Sequence, residues 1–311
     1  MRTVVTGGLG FVGTHLVRHL REAGDDVVTL DRKGDHSVDI LDGAAVAAAV
    51  AASAPEVVYH LAGWADVSSS WVDPLGVLRV NAEGTLNVLR ACAAAEVGRV
   101  LAVASADIYG VVTEDELPLT ETAPLRPVSP YAASKVAADA LAHQAFLGQR
   151  LGVIRVRPFN HLGPGQSEQF VAPAIAARVA RAERDGSDTI AVGNLTARRD
   201  ITDVRDVVRA YRLLVEHGEP GEVYNVCTGR DLAIKTLADL LVGLAQRPIA
   251  LVADPTLLRP VDLPVLRGDP SKLRAATGWA PAITIEQTVA DVLDDMRTRV
   301  RLDPAISVED R

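Results

Sequence analysis

The stretch Ser129-Pro130-Tyr131-Ala132-Ala133-Ser134-Lys135 sets a tyrosine and a lysine at i and i+4 directly after a proline. Proline is well placed in the first turn of a helix, where its missing N–H has no intrahelical partner to lose. Ser129, just before it, is a residue type that caps helices. On such a helix Tyr131 and Lys135 share one face, so a phenol and an ammonium group converge on one point. A phenol is a poor acid, with a pKa of about 10, and a nearby cation lowers it. The pair is a candidate for proton transfer. A Tyr–Lys pair on a helix is common, however, and the rest of the chain must decide.

A second chemical signal is Thr6-Gly7-Gly8-Leu9-Gly10-Phe11-Val12-Gly13, which follows a β-branched run and opens a helical one. Gly7, Gly10 and Gly13 form a GxxGxxG spacing. Glycines there permit a tight turn and let the backbone approach a pyrophosphate seated on the helix N-terminus. Asp31 ends the next strand-like run, about twenty residues on, where a carboxylate accepts from ribose hydroxyls and repels a 2′-phosphate. The reading is therefore dinucleotide binding with NAD(H) favoured. Arg32 and Lys33 follow at once and keep NADP(H) possible.

These residues need elements to position them. Residues 3–6, 27–30, 57–61, 100–104 and 153–156 are short apolar runs of the kind buried on both faces of a parallel sheet. Ala- and Leu-rich helical segments lie between or after them, at 11–23, 43–53, 74–95 and 130–147. Such alternation predicts an α/β fold with a doubly wound, Rossmann-type parallel sheet. After residue 160 the pattern changes. Gly163-Pro164-Gly165 breaks the chain, a helix is expected over 170–184, and short strand candidates alternate with Pro-rich loops. We expect a dinucleotide-binding domain over 1–162, rejoined by about 199–226. A smaller α/β substrate lobe would comprise 163–198 and 227–311.

Composition narrows the partners. The 311 residues are 48% hydrophobic and 23% charged, with a net charge of −8. That balance describes an ordinary globular protein and argues against nucleic acid or an anionic membrane as main partner. Cys92 and Cys227 lie in apolar runs with no disulfide or metal-ligand spacing, so no metal is expected and a reducing cytoplasm is the default location. No signal-peptide pattern and no apolar run of bilayer-spanning length is read.

The strand run 100–104 leads into Ser105-Ala106-Asp107-Ile108-Tyr109-Gly110. Strand C-terminal ends face the cofactor crevice of a doubly wound sheet, so a serine there can hydrogen-bond a substrate oxygen. With this the chain resembles the extended short-chain dehydrogenases/reductases that act on nucleotide sugars. The motifs are TGGLGFVG, YHLAG at 59–63, Asn81 with Gly84-Thr85, SADIYG, YAASK and RPFNHLGPGQ. The resemblance implies Ser105, Tyr131 and Lys135 as the catalytic trio, with Tyr131 as proton donor or acceptor. Lys135 would lower its pKa and hold the nicotinamide ribose. It implies a cofactor set of Gly7, Gly10, Phe11, Val12, Gly13, Asp31, Arg32, Asp39, Ile40, Leu61, Ala62, Gly63, Asn81, Pro158 and His161 around Tyr131 and Lys135. A homodimer built on the helices near 74–95 and 130–147 is also implied.

Within that family, Val192-Gly193-Asn194-Leu195, Arg199-Asp200-Ile201-Thr202-Asp203, Tyr224-Asn225-Val226 and Leu258-Arg259-Pro260-Val261-Asp262 resemble the GDP-sugar branch. Asn160, Val171, Arg199, Arg259 and Asp262 are the implied substrate residues, and Arg forks suit a pyrophosphate. A 4,6-dehydratase needs a general base besides the tyrosine. Asp107 stands where the branch's dehydratases carry a glutamate and is one methylene shorter. The reading favours reduction of the C4 ketone of a GDP-4-keto-6-deoxyhexose. A 4,6-dehydratase, a 4-epimerase and a non-catalytic nucleotide sensor remain as alternatives.

Overall fold

Apolar runs that bury both faces require helices on both sides of the sheet they form. The computed structural model of the protein, described over residues 1–35, 37–257 and 263–302, meets that requirement with six parallel strands. In chain order the elements are β1 (Arg2–Thr6), α1 (Phe11–Glu22), β2 (Asp26–Leu30), α2 (Gly43–Ser53), β3 (Val57–His60) and α3 (Val67–Ser70). Next come α4 (Pro74–Leu78), α5 (Gly84–Ala94), β4 (Arg99–Val103), α6 (Pro130–Gln149), β5 (Val153–Pro158), β6 (Asn160–Leu162) and α7 (Val171–Asp185). The rest are β7 (Thr189–Val192), β8 (Arg198–Asp203), α8 (Val204–His217), β9 (Val223–Val226), β10 (Asp231–Ala233), α9 (Ile234–Gly243), β11 (Ala250–Ala253), β12 (Val265–Leu266), α10 (Ser271–Thr277) and α11 (Ile285–Leu302).

The large sheet runs β2-β1-β3-β4-β5-β9. Strand order reverses between β1 and β3, and the crevice above that point is where doubly wound sheets take ligands. One apolar cluster packs α1 and α8 against one face, through Leu16, Leu20, Tyr59, Val207 and Tyr211. The other face packs α2, α5 and α6 through Val46, Val88, Leu89, Cys92 and Ala142.

The second half builds a separate core. Helices α7, α9 and α11 enclose Ile175, Val179, Leu237, Leu241, Val292 and Met296. Two small sheets accompany it: β10-β8-β12 with β6 joining β8, and β11-β7.

Three details differ from the sequence reading. The segment 74–95 is not one regular helix, because a π-helical turn at Arg79–Glu83 separates α4 from α5. Asn81 in that turn is tied to Trp64 and Ser134. Such bulges concentrate at functional sites. The segment that returns to the large sheet is α8 with β9, whereas β8 belongs to a small sheet. The second lobe expected over 227–311 includes residues 271–279, yet Leu273 and Trp279 are buried in the core beside the large sheet. Trp279 Nε1 donates to the Asp206 carbonyl at 3.0 Å, so a large aromatic with a satisfied donor seals α8 from outside.

Candidate active site

The Gly-rich turn is a cradle that side chains would fill. Gly7 has φ +71°, and a Cβ on it would lie 2.8 Å from the Ala62 nitrogen. A Cβ on Gly13 would collide with the Gly7 carbonyl. Leu61 and Ala62, after β3, therefore press against the turn after β1 at the point where strand order reverses. Asp31 Oδ2 accepts from the Leu9 N–H at 3.1 Å and Oδ1 from the Arg32 N–H at 2.8 Å, so the carboxylate is held beside the glycine loop. Arg32 is exposed. Ser37 bridges to Asp31, which brings Asp39 and Ile40 to the same edge, with Ile40 buried against Gly84. Val12 is half-buried in the first turn of α1. Phe11, at the start of α1, stacks on His161 with ring centroids 6.1 Å apart and planes 11° apart. Pro158 is buried at the end of β5.

The trio assembles next to this cradle. Ser129 caps α6 by accepting from the Ala132 N–H at 3.1 Å, and the Tyr131 N–H donates to Ser70 at 3.2 Å. Ser105 caps the short 3-10 turn Ala106–Tyr109 by accepting from the Asp107 N–H at 3.2 Å. Its hydroxyl neighbours the Tyr131 phenol closely enough to favour the ionised form of that phenol. Lys135 is buried, and its Nζ donates to the Val103 carbonyl at 3.0 Å. A Cβ on Gly63 would stand 3.4 Å from that Nζ and 2.8 Å from Asn81 Oδ1. Only a residue without a side chain leaves this spot open.

The electrostatics correct one expectation. Burial pushes the Tyr131 phenol above its ordinary pKa and Asp107 adds to the rise, while only the Ser105 hydrogen bond pulls it down. Lys135, expected to lower it, is itself lowered to about 8 by burial. The physical reason is desolvation, which disfavours the charged form of both groups.

His60 lies beneath the site, its Nδ1 bonded to Thr6 Oγ1 at 2.8 Å and Nε2 to Thr85 Oγ1 at 2.9 Å. Burial, then the nearby Lys135, lower its pKa to about 3.

Asn160, Val171 and Arg199 line one cleft of about 380 Å3 in the second half of the chain. Arg199 Nη1 also donates to the Leu263 carbonyl at 2.6 Å. Arg259 and Asp262 lie outside the described residues. The cleft is continued by Ser68, Gln166, Arg178 and Thr256. The sequence reading did not single out Ser68, Arg178 or Thr256, which belong to no motif, and it met Gln166 only as the last residue of RPFNHLGPGQ. The four come together through packing of α3, α7, the loop between β6 and α7, and the 255–257 turn. A buried carboxylate on α6, Asp139, also went unread. Its i+8 spacing from Tyr131, on the buried face of the same helix, was the available signal.

Among the described residues no group of three or more His, Cys, Asp or Glu gathers as a metal site, and no helix is long and apolar enough to cross a membrane.

Fold and site together define a chain of the extended short-chain dehydrogenase/reductase class. The sequence pattern of the family described as GDP-mannose 4,6 dehydratase matches residues 4–292, and the chain belongs to that family. It is 39% identical over 302 residues to GDP-6-deoxy-D-mannose reductase of Pseudomonas aeruginosa, covering 96% of this chain and 98% of that one. It is 30% identical to GDP-6-deoxy-D-talose 4-dehydrogenase of Aggregatibacter actinomycetemcomitans, over 89% of this chain and 92% of that one. Among solved structures, RMD from Pseudomonas aeruginosa complexed with NADPH superimposes with a TM-score of 0.88 at 37% identity, covering 96% of this chain and all of that one. Thermus thermophilus UDP-glucose 4-epimerase in complex with NAD gives 0.87 at 31% identity, over 96% and 99%.

His60 makes stability depend on pH. The unfolded chain binds a proton there near pH 6.5, whereas the folded chain resists it down to about 3. Acid therefore favours unfolding, and the stability present above 6.5 is lost as pH falls through that window. Burial lowers His15, His19 and His161 in the same direction. Thermal midpoints should fall steadily from pH 7 to pH 5, and His60→Gln should flatten that slope. A slope unchanged in the variant would remove His60 from the account.

Proposed function

We propose that the protein reduces the C4 ketone of a GDP-4-keto-6-deoxyhexose with hydride from NAD(P)H. What carries this is the 39% identity over 302 residues to GDP-6-deoxy-D-mannose reductase, and the environment of Tyr131, where burial and Asp107 both favour the protonated phenol, is in keeping with it. A protonated tyrosine is the form a ketone reduction consumes, because it donates to the oxygen as C4 becomes an alcohol. An enzyme that begins by oxidising C4 must instead start from the phenolate. The bound reduced cofactor supplies the hydride. Ser105 would hold the ketone oxygen beside Tyr131, and Lys135, packed against Gly63, would hold the nicotinamide ribose. The proton that Tyr131 gives up returns from solvent. Relatives named as GDP-6-deoxy-sugar reductase and dehydrogenase support the substrate class.

Asn160, Val171 and Arg199 would hold the nucleotide diphosphate in their shared cleft, with the lobe of α7, α9 and α11 as the substrate-binding half. A second reading, 4,6-dehydration, has Asp107 in its favour, since that carboxylate reaches the field of Tyr131 and could take a C5 proton. Two incubations separate the readings: GDP-mannose with NAD, and GDP-mannose with an added 4,6-dehydratase and NADH or NADPH. A reduced 6-deoxy sugar only in the second supports the reductase, and loss of water in the first replaces it with the dehydratase. Tyr131→Phe should lower turnover by at least about a hundredfold with cofactor affinity retained. Asp107→Asn should change reduction only modestly.

The cofactor reading favours NAD(H), with NADP(H) accepted. Asp31 faces the loop that would carry the adenosine ribose and disfavours a 2′-phosphate, while exposed Arg32 stands by to meet one. Asp31→Ser should raise the NADPH-to-NADH ratio of kcat/KM by about tenfold. An unchanged ratio would mean that Asp31 does not read the ribose.

We also propose a cytoplasmic homodimer. Both cysteines are free and buried. Trp71, Val72, Leu75 and Leu78 form an exposed apolar surface around α4, of a kind that marks protein contacts. Leu75→Glu should convert the dimer to monomer in light scattering. An unshifted mass would place the contact elsewhere.

A further inference from the structure

The sequence reading left Tyr109 and Asp139 without a role, yet both sit in a buried polar network beside the candidate site. Asp139 Oδ2 accepts from Arg157 Nη2 at 2.9 Å and from Arg155 Nη1 at 3.1 Å. Arg157 Nη1 donates to the Tyr109 hydroxyl at 3.1 Å and to the Glu121 carbonyl at 2.9 Å. The Tyr109 hydroxyl in turn donates to Asn225 Oδ1 at 2.7 Å. The Arg157 guanidinium also stands 5.4 Å from the centre of the Tyr109 ring. Tyr109 is wholly buried, and Asp139 and Arg157 are nearly so.

The two ends of this network belong to the two elements whose separation the chemistry requires to be fixed. Asp139 lies on α6, at i+8 from Tyr131 and i+4 from Lys135, so all three share one buried face. Tyr109 ends the short turn whose cap is Ser105 and which carries Asp107. The chain leaves that turn through Gly110, at φ +67°, where a side chain would strike the Arg126 carbonyl. The turn is thus held at its far end by Tyr109 and Gly110, and at its near end by Ser105 against Tyr131. Buried ion networks of this kind add little net stability compared with apolar packing. What a charged, forked partner supplies is direction and distance.

We propose that Tyr109 is a positioning residue, and that the Asp139–Arg157–Tyr109 network is a strut fixing the spacing between the Ser105–Asp107 turn and the Tyr131 end of α6. This rests on the reading of Ser105 and Tyr131 as the pair that handles the ketone oxygen. The strut touches neither substrate nor cofactor. It acts through Ser105, so its removal lowers kcat and leaves binding alone.

Tyr109→Phe tests this with the smallest change, since the ring and its packing on Phe159 remain. With GDP-4-keto-6-deoxymannose as substrate, kcat should drop about tenfold or more. The sugar KM and the NADH and NADPH dissociation constants should stay within about twofold. In a Ser105→Ala background the same substitution should cost nothing further, because the group it positions is gone. Asp139→Asn should behave as Tyr109→Phe does, and the two together no worse than the worse one. If Asp139→Asn does not fold, the Tyr109 cycle alone decides. An unchanged kcat in Tyr109→Phe, or an equal loss with and without Ser105, overturns the strut and leaves Tyr109 a packing residue. Tyr131→Phe run alongside separates the two levels: if it keeps full turnover, the reading of the site falls and the strut with it.

Discussion

Burying the ammonium group of Lys135 is the constraint around which the site is arranged. Taking a cation out of water is expensive, and here the Val103 carbonyl meets it while its pKa falls to about 8. Its neighbours must tolerate that charge. His60 does so by staying neutral, with both ring nitrogens fixed by Thr6 and Thr85. Gly63 does so by lacking a side chain, which would strike Asn81 before it reached the amine. Asn81 is held by an interrupted helix, since the π turn at Arg79–Glu83 carries it to Trp64 and Ser134.

The same exclusion of water sets the state of Tyr131. A buried phenol beside Asp107 keeps its proton, and the Ser105 hydrogen bond opposes that only in part. One arrangement therefore serves two ends. On the proposed reading it stores a proton for an arriving ketone oxygen and holds a cation for the nicotinamide ribose. Both ends depend, on the proposed reading, on the turn bearing Ser105 keeping its place beside α6, and the buried contacts of Tyr109, Arg157 and Asp139 join that turn to that helix through β5.

The two halves of the molecule meet across α1 and the strand β6 that follows the large sheet. Phe11 stacks on His161 and lies edge-on to His15. His15 reaches the Pro164 carbonyl at 2.7 Å, while Arg299 on α11 reaches the Gln166 carbonyl at 3.0 Å. The loop between β6 and α7 is thus gripped from both sides. That grip fixes the loop joining Asn160 on β6 to Val171 on α7, both of which line the cleft.

Much of this was legible in the residues alone, for stated reasons. Ser129-Pro130 fixes a helix start, so Tyr131 and Lys135 had to share a face. Gly7, Gly10 and Gly13 have no other economical explanation than a tight turn before a helix, and Asp31 closes the next strand beside it. The parallel sheet follows from apolar runs too continuous for one exposed face. Tertiary structure decided the rest, because it depends on which segments are brought together and how dry the result is. The sequence suggested that Lys135 would make Tyr131 more acidic. Burial and Asp107 reverse that, and burial is a property of the packed whole rather than of any motif. The cleft residues Ser68, Gln166 and Thr256 come from three unconnected segments, and Asp139 acquires meaning only when β5 delivers Arg157 and the turn delivers Tyr109. Local spacing reveals which groups can do chemistry, and only packing sets their charge and their distance from one another.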